Sequence, residues 1–266
     1  MSATSTNLEP IKVAPPPWTC HYEAYVGAFY VSAKSGLPRD VAYEPLEASS
    51  AKTTEAGVWK GGMVMIQLLR YSSTPVGPYD EMILLPGNFE VPGGHGSHTR
   101  ITRIYVSQRD TTFNGRKNWN IPKHIARFKY TGDFSFPPFT VQIFPEDPSI
   151  ETPIFTASLQ HLAFWTPSFP FSSNVLKWLG VPNVMVQPPL PEGDPREVLC
   201  GTNAWYKVAA SIYSPKAKLV WIDLKQQGNE AEGENKHWWP GIRRWHVGLW
   251  LQNARLEFAD PEVLRM

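Results

Sequence analysis

The residues best suited by type and spacing to take part in a reaction lie in one stretch, residues 114–130. Its sequence is NGRKNWNIPKHIARFKY. Gly115 permits a close approach of the backbone to a neighbouring group. Pro122 fixes the backbone immediately before Lys123. We therefore expect Lys123 to project from a rigid, extended corner beside the apolar side chain of Trp119. Such surroundings favour the uncharged form of a lysine, in which its amine is a nucleophile.

The order of these residues resembles the active-site segment of the acetoacetate decarboxylase family, with Gly-Arg at 115–116 and Pro-Lys at 122–123. A second phrase, Glu-Pro-Leu-Glu at 44–47, resembles the segment that closes the first helix in that family. The resemblance covers roughly residues 40–130 at the level of motifs. It implies that Lys123 forms a Schiff base with a keto acid.

The resemblance also implies roles for other residues of this chain. Glu81, an acid in an apolar strand, matches one of two acids near the lysine and would move protons during the reaction. Arg116 is a candidate partner for the substrate carboxylate. Trp119 and His124 are candidate substrate-binding residues. His124 stands where the decarboxylases usually carry a second lysine, so burial has to supply more of the activation of Lys123.

Two charged residues of the family's site have no counterpart here. Gapless counting from Glu81 places the second acid of the family on Ile66, and the substrate-binding arginine falls at about Ala24. The neighbouring Glu23 has the wrong sign to bind a carboxylate. We therefore expect a less charged pocket and a substrate larger and less polar than acetoacetate.

The chemistry predicts a particular geometry around Lys123. A close carboxylate would favour the ammonium form, whereas burial favours the free amine. We therefore expect the Lys123 amine to be more than half buried at the closed end of an aromatic-lined pocket. Glu81 should share this cavity, within reach through at most one water, but farther than the roughly 4 Å of an ion pair.

The sequence predicts a mainly β fold of the α+β class. Short apolar runs alternate with turns rich in proline and glycine, which favours strands over long helices. The resemblance implies an antiparallel sheet curved into a cone-like barrel with a few flanking helices. Residues 1–17 are polar and end in three prolines, which predicts a flexible N-terminal arm. Residues 18–266 are predicted to form a single domain.

Composition narrows the functional classes. A net charge of +1 gives no support for binding nucleic acid or an anionic membrane. No run approaches the ~20 apolar residues of a membrane span, and no secretory signal is evident. The two cysteines form no metal-binding spacing, and His95 and His98 lack an accompanying acid or cysteine. We expect a cytoplasmic protein with no metal and no cofactor, and the resemblance implies a homo-oligomer.

Three functions remain open from the sequence. The first is a Schiff-base decarboxylase of a β-keto acid, acting in polyketide or other secondary metabolism. The second is a Schiff-base aldolase or dehydratase on the same fold, which the missing charged residues favour. The third is a non-catalytic β-barrel that binds an apolar small molecule.

Overall fold

The computed structural model describes residues 10–163, 165–178, 184–224, 239 and 242–265. Within these ranges the chain consists mostly of strands. The strands are β1 (Trp18–Ser32), β2 (Trp59–Ser73), β3 (Tyr79–Leu85), β4 (Asn88–Glu90), β5 (Ser97–Thr99), β6 (Arg103–Val106), β7 (Lys123–Asp133), β8 (Phe136–Pro145), β9 (Phe155–His161), β10 (Phe169–Ser172), β11 (Val184–Gln187), β12 (Trp205–Asp223), β13 (Trp245–Phe258) and β14 (Glu262–Leu264).

The helices in these ranges are short. They are α1 (Arg39–Ala42), α2 (Pro45–Ala48), α3 (Ala51–Thr54), α4 (Arg109–Trp119) and α5 (Ser173–Trp178). None of the described helices has the length and apolar character that crossing a membrane requires.

The strands form one large sheet whose pairings close into a ring. The ring runs β1–β2–β3–β6–β7–β8–β9–β12–β13 and returns to β1. Strands β4, β5 and β11 make a second path between β2 and β12. Most pairings are antiparallel, whereas β6–β7 and β5–β11 are parallel. The prediction of a mainly β fold with an antiparallel, curved sheet and few helices is confirmed.

The two faces of the sheet bury two separate apolar cores. All nine strands of the ring contribute to the ring core, which is rich in large apolar side chains such as Ile66, Met82 and Phe155. The second core, here called the site-side core, lies on the opposite face of β1, β2, β3 and β6, with contributions from α4 and β11. Alternation along β3 divides its residues: Tyr79 and Ile83 belong to the site-side core, and Met82 to the ring core.

Helix α4 occupies the beginning of the stretch that the sequence predicted as an extended corner. The helix ends because Asn120 adopts a left-handed conformation (φ 55°), and its N–H donates to the Arg116 carbonyl. Pro122 cannot continue the helix, and Lys123 then begins β7. The extended corner is therefore correct only for the last residues of the stretch.

The segment before β1 lies against α4. The Ala14 N–H donates to Asn114 Oδ1 at 2.8 Å, and Asn118 Nδ2 donates to the Ala14 carbonyl at 2.8 Å. Ala14 is buried. Ala14 thus contacts α4, the flexibility of the arm remains a prediction, and residues 1–9 of that arm lie outside the described residues.

Because adjacent residues of β2 project from opposite faces, we expect the same substitution to lower stability by unequal amounts at two adjacent positions. Ile66→Glu would put a carboxylate into the ring core, where Ile66 is 1% exposed. We expect a loss of at least about 3 kcal/mol in unfolding free energy, measured by urea denaturation. The control, Gln67→Glu, places the same carboxylate on the half-buried opposite face and should cost less than about 1 kcal/mol. Equal losses would contradict this assignment of faces.

Candidate active site

Lys123 is held between the sheet and α4. It is the first residue of β7, in register with Ile104 of β6, and is 5% exposed. Gly115 of α4 lies against its side chain, since a Cβ built on this glycine would be 2.6 Å from Lys123 Cδ and 2.8 Å from Cε. The absence of a side chain at residue 115 therefore allows the helix to pack directly on the lysine.

The Lys123 ammonium group has three polar neighbours. Its Nζ donates to Glu81 Oε2 at 2.6 Å, to Thr111 Oγ1 at 2.8 Å and to the Tyr79 hydroxyl at 3.3 Å. A protonated lysine has three N–H donors, so each hydrogen has an acceptor. The structure therefore shows a lysine whose charged form is fully hydrogen-bonded.

Secondary-structure periodicity explains how these partners meet. Tyr79 and Glu81 lie two residues apart on β3 and so project from the same face of the sheet. Thr111 and Gly115 lie four residues apart on α4 and so share one face of the helix. Helix and sheet consequently enclose Lys123 from two sides.

A layer of buried phenols and a thiol surrounds the ion pair. The Tyr71 hydroxyl donates to Glu81 Oε1 at 3.0 Å, and the rings of Tyr71 and Tyr79 lie 4.5 Å apart. Burial, and next the charge of Glu81, raise the pKa of Tyr71 and Tyr79 well above the usual value of a phenol. Burial also raises the pKa of the Cys20 thiol to about 12. These groups therefore stay protonated at neutral pH and act as neutral dipoles around the pair.

The predicted geometry is correct in one respect and wrong in another. Lys123 is deeply buried, Glu81 lies beside it, and aromatic rings line the site, as expected. The predicted separation of Lys123 and Glu81 beyond an ion pair is wrong, because their charged atoms lie 2.6 Å apart. Burial of an isolated amine would favour its neutral form, but the strands bury a carboxylate beside this lysine, and the pair compensates the loss of water.

A second buried ion cluster lies close by and joins α2 to α4 and β7. Arg116 Nη1 donates to Glu47 Oε1 at 2.9 Å, and His124 Nε2 lies 2.8 Å from Glu47 Oε2. Burial alone would raise the pKa of the Glu47 carboxyl, but the His124 hydrogen bond and the charges of His124 and Arg116 outweigh it. The pKa of Glu47 therefore lies below its usual value.

Arg116, His124 and Trp119 all have partners within the protein, and their substrate-binding roles remain predictions. The Arg116 guanidinium is fully buried and is occupied by Glu47 and by backbone carbonyls. His124 is occupied by Glu47 in the same cluster. Trp119 donates to the Ala259 carbonyl and packs edge-on against Trp18. A buried guanidinium needs a fixed carboxylate, which explains why Arg116 is bonded within the protein.

The two positions that lack the family's charges lie on opposite faces of the sheet. Ala24 is in register with Leu69, which is in register with Glu81, so Ala24 belongs to the site-side core. Ile66 lies in the ring core, and gapless counting therefore leads to a residue that cannot face Lys123. The adjacent Gln67 projects from the site side of β2.

Four residues that lie around Lys123 and Glu81 were not predicted from the sequence as site residues: Thr111, Tyr79, Tyr71 and Cys20. The first two could have been found from periodicity, since Tyr79 is two residues before Glu81 in a strand, and Thr111 is four residues before Gly115 in a helix. Tyr71 and Cys20 come from separate strands, and only the pairing of those strands brings them to the site. Within the described part of the chain, no three His, Cys, Asp or Glu side chains gather as a metal site would require.

Comparison with known proteins finds similarity in structure but not in sequence. The sequence matches no family model and no curated protein. An acetoacetate decarboxylase from Legionella pneumophila has a TM-score of 0.55 and 15% identity, covering 98% of this chain and 93% of that chain. The enduracididine biosynthesis enzyme MppR, solved with HEPES buffer bound, has a TM-score of 0.53 and 12% identity over 95% and 89%. An acetoacetate decarboxylase-like enzyme from Sphingomonas wittichii has a TM-score of 0.51 and 10% identity over 95% and 94%.

These similarities extend along almost the full length of each chain. At identities of 10–15% they establish the fold, which is that of the acetoacetate decarboxylase-like proteins. The resemblance to the acetoacetate decarboxylase family, which rested on two short sequence motifs, is therefore confirmed for the fold.

The contact between Gly115 and Lys123 gives a structural prediction. In Gly115→Ala the added methyl group would lie 2.6 Å from Lys123 Cδ. Alanine favours the helix by up to about 1 kcal/mol, which offsets part of the strain, so we expect the fold to survive. The lysine should instead move, lengthening the contact between Nζ and Glu81 Oε2 beyond about 3.2 Å in a crystal structure. An unmoved lysine would contradict the tight packing described here.

The lowered pKa of Glu47 gives a prediction for stability against pH. A carboxylate with a depressed folded-state pKa adds stability above its unfolded pKa, and this stability disappears as the pH falls through the folded value. At pH 7, Glu47→Gln should cost about 3–5 kcal/mol, because Arg116 would remain buried without its carboxylate. The difference from wild type should shrink as the pH falls below about 4.5. Urea denaturation across this range measures it, and a difference independent of pH would refute the ion cluster.

Proposed function

We propose that this chain is a carbon–carbon lyase that decarboxylates a β-keto acid through a Schiff base on Lys123. The single observation that carries the proposal is the buried contact of Lys123 Nζ with Glu81 Oε2 at 2.6 Å. It joins a potential nucleophile to a potential proton acceptor in a site screened from water. The fold shared with acetoacetate decarboxylases supports the same chemistry without specifying a substrate.

The first step is the transfer of a proton within the ion pair. Glu81 accepts a proton from Lys123 and leaves a neutral amine. The amine attacks the ketone carbon, and the resulting carbinolamine loses water after taking a proton from Glu81. The product of this step is an iminium ion on Lys123.

The iminium then serves as the electron sink for decarboxylation. The bond between the α-carbon and the carboxylate breaks, carbon dioxide leaves, and its bonding electrons form an enamine with a neutral nitrogen. The α-carbon takes up a proton from solvent, and water then adds to the new iminium. The carbon–nitrogen bond breaks, the ketone product leaves, and the proton released on hydrolysis returns to the Lys123–Glu81 pair. Thr111 and Tyr79 hold Nζ in position before the reaction, and the single N–H of the iminium can keep one of these two contacts.

The surroundings of the site support a substrate larger and less polar than acetoacetate. Ala24 lies on the site side and supplies an apolar surface where the family has an arginine. The Arg116 guanidinium is held by Glu47, so the proposed substrate contacts are assigned to other residues. A role in secondary metabolism is consistent with MppR, whose own name assigns it to the biosynthesis of enduracididine.

Two further expectations belong to the proposal. The composition favours a cytoplasmic enzyme, and the family resemblance implies a homo-oligomer. Two large apolar side chains support the second expectation: Tyr30 is 75% exposed and Met63 is 48% exposed, and they lie in register on β1 and β2.

A second candidate is a Schiff-base aldolase or dehydratase. The same apolar Ala24 and the same sequestered Arg116 favour it, because these reactions do not require a substrate carboxylate to be held for release. MppR was solved in complex with pyruvate, which is an α-keto acid. Release of carbon dioxide distinguishes the two candidates.

Borohydride reduction tests the common intermediate. Incubation with β-oxooctanoate and borohydride should leave a reduced adduct on the peptide that contains Lys123, detected by mass spectrometry. Lys123→Arg keeps the charge but cannot form the iminium, so it should give no adduct and no carbon dioxide while retaining its circular dichroism spectrum. Full turnover by Lys123→Arg would refute the mechanism.

Glu81→Gln serves as the matched variant, because it keeps the size of the side chain and removes its ability to accept a proton. We expect carbon dioxide release to fall by about 10²–10⁴-fold. Faster turnover of acetoacetate than of β-oxooctanoate by the wild type would argue against the larger substrate.

A further inference from the structure

A row of registered residues crosses the sheet from the candidate lysine. Directly registered residues on adjacent strands project from the same face. The chain of pairings passes from β7 through β6, β3, β2 and β1 to β13. In order, the row consists of Lys123, Ile104, Ile83, Gln67, Val26 and Leu249.

Exposure increases along this face away from the lysine. Lys123 and Ile83 are buried, at 5% and 8% exposure. Gln67 and Val26 are half-buried, and Met63, farther along the same face of β2, is 48% exposed. The face therefore opens towards Gln67, whereas the tyrosines close the opposite end of the site. A substrate that approaches from the open end passes Gln67 before it reaches Lys123.

Gln67 is a polar residue among apolar neighbours. Ile83 and Val26 flank it across the sheet, and Met65 and Leu69 flank it along β2. Within the part of the chain that the structure describes, its side chain makes no hydrogen bond. A glutamine amide offers two N–H donors and a carbonyl acceptor, so an amide on this apolar face is free to bind a polar group of a ligand.

Register also places Gln67 within reach of chemistry at Lys123. Glu81 is in register with Leu69, so Gln67 is the diagonal neighbour of Glu81 across β2 and β3. Diagonal neighbours lie roughly 7–8 Å apart, a distance that long side chains and a small ligand can span. Lys123 Nζ lies 2.6 Å from the Glu81 carboxylate. A keto acid attached to Nζ is therefore long enough to reach the Gln67 side chain.

We propose that Gln67 is a substrate-binding residue that determines specificity: its amide donates a hydrogen bond to the carboxylate of the keto acid held at Lys123. The apolar side chains beside it, Val26, Met65 and Leu249, receive the substituent of the substrate. This inference rests on the proposed function. A neutral amide also suits a group that leaves as carbon dioxide, because it stabilises the carboxylate of the ground state less than a guanidinium does.

The test compares a keto acid with the same molecule after loss of its carboxylate. Gln67→Met preserves length and apolar packing but removes the amide. With β-oxooctanoate its KM should rise by about 10–100-fold, the effect of losing a hydrogen bond to a charged group. With methyl pentyl ketone, which has no carboxylate, borohydride adduct formation on Lys123 should equal that of the wild type. Gln67→Glu should raise KM further, because its charge repels the substrate carboxylate.

Gln142→Met is the matched control. Gln142 is half-buried on β8, where it pairs with Lys129 and Thr156, and β8 is not part of the row. Its KM should stay within twofold of the wild-type value. An unchanged KM in Gln67→Met, or an equal loss of adduct with the ketone and the keto acid, would overturn the role of Gln67 alone. A wild-type protein that gives no adduct with either compound would overturn the proposed function and this inference with it.

Discussion

The ion pair between Lys123 and Glu81 is the interaction on which the arrangement of the site depends. Two charges removed from water are tolerated only when each finds a close partner and further hydrogen bonds. Thr111 and Tyr79 supply those bonds to the lysine, and Tyr71 supplies one to the glutamate. The pair thereby constrains β3, β7 and α4 to one relative position. The same contact places a potential proton acceptor 2.6 Å from the lysine nitrogen.

Two consecutive residues of helix α4 have different structural roles. Gly115 presents bare backbone to Lys123, whereas Arg116 points to Glu47 and secures α2. The two phrases that carry the family resemblance, at 44–47 and 115–124, therefore meet in the fold through Arg116, Glu47 and His124. This contact gives a physical reason for both phrases to occur in one chain.

The division of the sheet into two faces decides what kind of ligand the site can take. The ring core is filled by large apolar side chains from all nine strands and holds the curvature of the sheet. The other face is buried near Lys123 and becomes more exposed towards Gln67 and Met63. Along this face the residues are mostly apolar, so a ligand with one polar end and an apolar body is the best chemical match.

The sequence by itself predicted the strand-rich class and placed Lys123 and Glu81 in one buried cavity, because these predictions depend on local pattern and on a short motif. Tertiary structure alone decided the rest. The 2.6 Å distance between Lys123 and Glu81 depends on how β3 and β7 pair with β6, which spacing along the chain does not specify. Arg116 connects α4 to α2 because α2, which is distant in sequence, brings the Glu47 carboxylate to its guanidinium. Gapless counting from Glu81 placed the family's second acid on Ile66. Neighbouring residues of a strand project from opposite faces, so Ile66 lies in the ring core and Gln67 projects from the face that carries Lys123.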